Sequence, residues 1–231
     1  MKVALVIFII LAFGLAGVAG YFFNRERLVR QENAELAFRV QSLEARVAEL
    51  SKQLEEEIAK ISKEKEEEIK RLTSAQEELL KELQQEIENK EIQITQLADR
   101  LSVSLVDKIL FPSGEAEITP AGLKVLERVG NIIKNVQEKI IRVEGHTDNV
   151  PIAPRLQKQF PTNWELSTAR ATNVVRFLQE KVGMDPARLQ AVGLSEYHPV
   201  ASNTTPEGRS KNRRIEIALL PMAGAPQVSA K

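Results

Sequence analysis

The chain has 231 residues, no cysteine, and 32 acidic against 32 basic side chains. These values exclude a disulfide framework, a cysteine-ligated metal site and a lipid-modified N-terminal cysteine, while the length allows one or two domains. Residues 1–100 hold 15 Lys/Arg and 19 Asp/Glu, and the remainder holds 17 and 13. The second half is thus mildly basic, which suits an anionic partner but is too weak to argue for nucleic acid.

Val3 to Phe23 is an uncharged run of 21 residues. At 1.5 Å per residue it reaches roughly 30 Å, the thickness of a bilayer core. Tyr21, Phe22 and Phe23 close it where an interfacial aromatic belt belongs, and Asn24, Arg25 and Arg27 follow. Residues 1–24 are therefore expected to form a single transmembrane anchor. A cleaved signal peptide is the rival, with Gly17-Val18-Ala19 as its cleavage site. Ala12, Ala16 and Gly20 form a small-xxx-small stripe that either lets two spans touch or reflects ordinary membrane-helix composition.

From Leu28 to Leu101 there is neither Pro nor Gly. Leu36, Val40, Leu43, Val47, Leu50 and Leu54 recur in alternating steps of four and three, a heptad seam. The seam resumes at Ile69, Leu72, Leu79, Leu83, Ile87, Ile94, Leu97 and Leu101, with stutters between the blocks and with Lys65, Gln76 and Lys90 at seam positions. Residues 25–101 are expected to form a long parallel coiled-coil stalk, most simply a homodimer, that holds the following domain away from the membrane. A solitary charged helix, or a partly disordered segment, is the alternative.

After Leu101 the period changes. Alternation from Ser102 predicts a strand continuing to Phe111, ended by Pro112-Ser113-Gly114. Thr119-Pro120 predicts a helix start, with Val125, Val129, Ile132, Ile133 and Val136 as its buried stripe. Ile140 to Glu144 reads as a second strand, and Gly145-His146-Thr147-Asp148-Asn149 follows at its carboxyl end. After a proline-bearing loop, Thr162-Asn163-Trp164-Glu165 fits a capping box before a helix that stops at Gly183. Leu189 to Gly193 is a third strand, Thr205-Pro206 opens a short helix, and Arg214 to Leu219 alternates as the last strand. The order β-α-β-α-β-α-β over residues 102–220 predicts an α/β (α+β) sandwich with helices packed on one sheet. Residues 221–231 read as a disordered tail.

Several stretches occur together and in order: Phe111 to Ala116, Val143 to Asp148, Leu166-Ser167-Thr168-Ala169-Arg170-Ala171, Val192 to Glu196, and Lys211 to Ile217. In that order they resemble the OmpA/MotB-type C-terminal domain, the module that anchors Gram-negative envelope proteins to peptidoglycan. The loop with Pro151-Ile152, Phe160-Pro161 and Asn163-Trp164-Glu165-Leu166 is most similar to the flagellar stator B branch. The resemblance implies binding of a diaminopimelate-type stem peptide, with the family's acidic contact at Asp148 and its basic contact at Arg170. A carboxylate at Asp148 suits the ligand's ammonium, and a guanidinium at Arg170 suits its carboxylate. Thr147, Asn149 and Asn163 would add polar groups, Leu166 an apolar wall, and Arg213 or Arg214 further positive charge, one of the two bracing the fold instead.

No catalytic residue is expected. Ser167 lacks the strand-turn-helix with flanking Gly of a nucleophile elbow. Neither a metal nor a cofactor is expected, because His146 and His198 are the chain's two histidines and Cys is absent. Trp164 is expected to pack at its helix start. The expected function is a non-enzymatic anchor joining peptidoglycan to the inner (cytoplasmic) membrane, single-pass, with its C-terminal domain in the periplasm. That orientation follows from the resemblance rather than from the charge count. The alternative is a flagellar stator B-like subunit. It is disfavoured because that family carries its ion on an Asp in the span, and no Asp lies between Val3 and Phe23.

Overall fold

The computed structural model describes residues 2–222, with side chains described from residue 14 onward except Ala16. Most side chains of the expected membrane span, including Ala12 and Ala16 of the small-residue stripe, lie outside the described residues. So does the expected tail beyond Met222. Among the described residues no helix is long and apolar enough to cross a membrane. The chain divides into two compact units, 1–63 and 64–231.

Helix α1 runs Lys2–Glu82. In the first unit its charged positions pair along the helix, as in Arg30–Glu26 at 2.5 Å and Arg39–Glu35 at 2.6 Å. The seam residues Leu36, Val40, Leu43, Val47, Leu50 and Leu54 are exposed in the single chain.

The second unit begins with the last turns of α1, followed by α2 (Gln84–Glu88) and the strands β1 (Ile92–Leu97) and β2 (Arg100–Val106). After α3 (Asp107–Leu110) and α4 (Pro120–Lys134) come β3 (Lys139–His146), α5 (Asn163–Glu180), β4 (Leu189–Gly193), α6 (Pro206–Asn212) and β5 (Arg214–Pro221). The five-stranded sheet has the order β1-β2-β5-β3-β4, with β3 and β4 parallel and the other neighbours antiparallel. From β2 onward this is the expected β-α-β-α-β-α-β sandwich. The chemistry of the helix starts is as expected. Thr119 Oγ1 accepts from the Gly122 amide at 3.0 Å with Pro120 behind it, and Thr162 and Glu165 form a reciprocal capping box.

Two expectations are corrected. The strand from Ser102 stops at Val106, where Asp107 starts α3 instead of continuing extended to Phe111. The helical stalk does not reach Leu101. Helix α1 ends at Glu82, and Ile94, Leu97 and Leu101 belong to the β1–β2 hairpin, a strand pair the sequence did not reveal. Leu72, Ala75, Leu79 and Leu83 are buried in the core with Leu101, Val103, Leu105 and Val129. A three-four spacing describes equally a seam facing a second helix and a stripe facing the chain's own sheet. The hairpin escaped notice because its turn is Ala98-Asp99, with Ala98 at φ 49°, rather than the glycine-bearing pair that marks such turns.

Polar contacts fasten the last turns of α1. The Lys139 ammonium, 1% exposed, donates to the Asp99 carbonyl at 2.6 Å and pairs with Glu68 at 2.5 Å. Arg128 donates to the Glu82 carbonyl at 2.7 Å and also pairs with Glu86. Burial alone would raise the Glu68 carboxyl, but Lys139 and Lys65 outweigh it and hold the group below its ordinary value of 4.5.

Candidate functional site

β3 delivers Thr147 and Asp148 from its carboxyl end, and α5 opens beside them with Asn163. Gly145 is where β3 and α5 come closest, since a methyl group there would collide with the Ser167 backbone carbonyl. Asn163 Nδ2 braces the intervening loop. It reaches the carbonyls of Asp148 at 3.2 Å and Val150 at 3.1 Å, and the Glu196 carboxylate at 2.9 Å. The result is a cleft of about 660 Å3 with Asp107, Phe111, Thr147, Asp148, Arg170 and Arg213 among its lining residues.

Two carboxylates and two guanidiniums alternate in this cleft. Asp148 Oδ2 takes a hydrogen bond from Arg213 Nη1 at 2.5 Å, and Oδ1 accepts from the Val150 amide at 3.1 Å. Arg170 Nη1 donates to Asp107 Oδ2 at 3.2 Å, while Arg213 Nε lies 3.6 Å from Asp107 Oδ1. Burial pushes the Asp107 carboxyl above its ordinary value, although the Arg170 and Arg213 guanidiniums oppose it. Burial likewise lowers Arg170, against the pull of Asp107, but a guanidinium remains charged at neutral pH. Thr147 Oγ1 is buried and has no hydrogen-bond partner among the described residues. Leu166 forms an apolar wall with Ala116, Ile152 and Phe160.

Most of the expected site residues meet here: Thr147, Asp148, Asn163, Leu166, Arg170 and Arg213 all line the cleft. Asn149 is exposed and lines no part of it. Arg214 is buried on the opposite side of the sheet, 3.6 Å from Glu216. It is the brace of the Arg213–Arg214 pair, because Arg214 opens β5 and pairs behind the sheet while Arg213, between α6 and β5, reaches Asp148 and Asp107. Arg170 is also built into the fold. It is 3% exposed, its Nε donates to the Glu115 carbonyl at 2.9 Å, and its guanidinium lies 4.9 Å from the centre of the Phe111 ring.

Asp107 was missed. It ends an alternating strand without a distinguishing neighbour, and only its meeting with Arg170 and Arg213 reveals it. Ser167 is fully buried, donates to the Trp164 carbonyl at 3.0 Å and accepts from the Ser195 amide at 3.1 Å, so its hydroxyl is committed to structure. Trp164 is not packed into the core. It is half-exposed and stacks on Tyr197 with ring centres 5.5 Å apart.

The sheet order, the paired charges and the loop braced by Asn163 define an OmpA-type module, and residues 110–213 match the OmpA family. This part of the chain is an OmpA-family domain. Motility protein B of Bacillus subtilis is 36% identical over 157 residues, which are 62% of this chain and 59% of that protein. A putative MotB-like protein from Desulfovibrio vulgaris has a solved structure that superposes with a TM-score of 0.61 at 29% identity, covering 68% of this chain and 94% of that one. The cell wall anchor of the T6SS from Pseudomonas aeruginosa gives 0.56 at 34% identity, covering 62% and 96%. The chain spans about half the length of the curated relatives it matches.

Proposed function

We propose that this protein is a non-enzymatic cell-envelope anchor whose cleft grips the diaminopimelate-type stem peptide of peptidoglycan. One observation carries the reading: a ligand-sized cleft in which Asp148, Arg170, Asp107 and Arg213 alternate in charge around the unpartnered Thr147 hydroxyl. The side-chain end of the peptide's diamino acid bears an ammonium and a carboxylate on one carbon. Asp148 has lone pairs beyond those taken by Arg213 and Val150 and accepts the ammonium. Arg170, with Arg213 beside it, holds the carboxylate by charge-assisted hydrogen bonds. Kinship with a cell wall anchor supports the reading.

In the same proposal residues 1–24 fix the chain in the inner membrane, the domain lies in the periplasm, and the exposed seam of the first unit pairs two chains. The partners are then peptidoglycan, the inner membrane and a second copy. Residues 25–63 form a helix of about 60 Å at 1.5 Å per residue. A stator-like role has one observation in its favour, the likeness to motility protein B. Against it stands the lack of any Asp between Val3 and Phe23.

The test is co-sedimentation of residues 64–231 with purified peptidoglycan sacculi, beside a folded Asp148→Asn variant. Retention of the unmodified protein and its loss in the variant are expected. Equal retention of both would refute the assigned grip.

A further inference from the structure

The sheet face opposite the helices carries a second cluster. Glu144 on β3 and Glu216 on β5 stand directly opposite each other in the antiparallel register. Like charges in that position repel unless something lies between them. His146 follows on the same face, and one ligand atom from each of Glu144, His146 and Glu216 lies within 4.8 Å of the others. His146 is 3% exposed, and neither of its ring nitrogens has a hydrogen-bond partner among the described residues. Glu144 Oε2 stands 3.8 Å from Nε2, beyond hydrogen-bond reach. A buried imidazole with idle nitrogens is a costly arrangement for a protein to keep without a ligand. The chain's second histidine, His198, is here too, its ring centre 6.4 Å from that of His146.

We propose that Glu144, His146 and Glu216 bind a divalent cation, Zn2+ first among those that favour one imidazole and two carboxylates. Ligand distances of about 2.0–2.2 Å place donors roughly 3.5 Å apart, so side-chain rotations of the order of an ångström close the site. Ser102 Oγ donates to Glu216 Oε1 at 2.7 Å and orients that carboxylate, the part an outer hydrogen bond plays at metal sites. A water, or His198 after rotation, completes the coordination. Guanidiniums compete: Arg214 Nη2 is 3.6 Å from Glu216, Arg142 Nη1 is 3.9 Å from Glu144, and Arg100 also favours the charged Glu144 from farther off. All are beyond hydrogen-bond length, and they weaken the site without closing it. The cation would tie the end of β3 to β5 immediately behind the loop that bears Asp148. This site stands independently of the peptidoglycan reading.

The untagged full-length chain, stripped with a chelator, is titrated with Zn2+ while long-range proton–nitrogen spectra of the imidazoles are recorded. With two histidines, assignment needs only one His198→Ala spectrum. One zinc per chain and movement of the His146 nitrogens are expected. Glu144→Gln and Glu216→Gln, each checked for fold by circular dichroism, are expected to weaken binding about 100-fold. Should either variant not fold, the His146 resonances of the unmodified chain decide. Unmoved His146 nitrogens at saturating zinc, a response of His198 alone, or full affinity in both folded variants would overturn the site.

Discussion

Arg170 is bound into the fold as well as lining the cleft, and this governs how the cleft has to be probed. Its guanidinium is sealed against Phe111, Asp107 and the Glu115 carbonyl. Arg170→Ala would leave buried Asp107 with only the more distant Arg213 guanidinium at 3.6 Å, and breaking a buried pair costs about 3–5 kcal/mol. Chemical denaturation of residues 64–231 is expected to show that loss, so failure of this variant to bind sacculi would not isolate a ligand contact. Asp148→Asn keeps the shape and the Val150 turn while removing the charge. Its expected signature is near-normal stability with sacculus retention reduced at least tenfold, read by co-sedimentation. The sequence made Asp148 and Arg170 legible through the order of their motifs. It could not tell Arg213 from Arg214, because that choice depends on which sheet face each occupies, and it could not find Asp107, whose partners are distant in the chain.

At the scale of the elements, the last turns of α1 are part of the folded domain. Leu79→Ala opens a fully buried position and is expected to cost about 2–5 kcal/mol, measured by urea unfolding of residues 64–231. A fragment beginning at Leu101 would lack Leu72, Leu79, Leu83 and β1, leaving core surface bare. The Glu68–Lys139 contact makes this docking sensitive to acid. With the native carboxyl held below 4.5, its contribution is fully present above that pH and is lost as the pH falls through the lower native value. Glu68→Gln is therefore expected to lower the melting temperature at pH 7, and the gap from the unmodified protein should close on acidification below 4.5, followed by circular dichroism. The capped helix starts were readable because a cap is a local device in which Thr, Pro and Glu act within one turn. The β1–β2 hairpin was not, because β1 lay within a charged run of helical period and the turn joining it to β2 carried no glycine.

For the whole molecule, the proposed anchoring through paired chains makes a quantitative demand. A domain with a modest grip gains retention when two are joined, by a factor of the order of 10²–10⁴ if both can engage the wall together. Leu43→Glu with Leu50→Glu is expected to yield monomers in sedimentation velocity and to reduce sacculus retention of the full chain to the level of the isolated residues 64–231. The sequence by itself determined the α/β sandwich, its helix starts, the order of its elements along the chain from β2 onward and most of the residues lining the cleft. These rest on periodicity, local capping and motifs carried on adjacent residues, all of which are properties of short stretches. Only the tertiary structure decided that Leu72, Leu79 and Leu83 face the domain's own core, that Asp107 joins the charged cleft, and that Glu144, His146 and Glu216 meet across two strands. The physical reason is common to all three: an apolar stripe or a charged side chain specifies the kind of partner it requires, and the packing of distant segments selects which partner it meets.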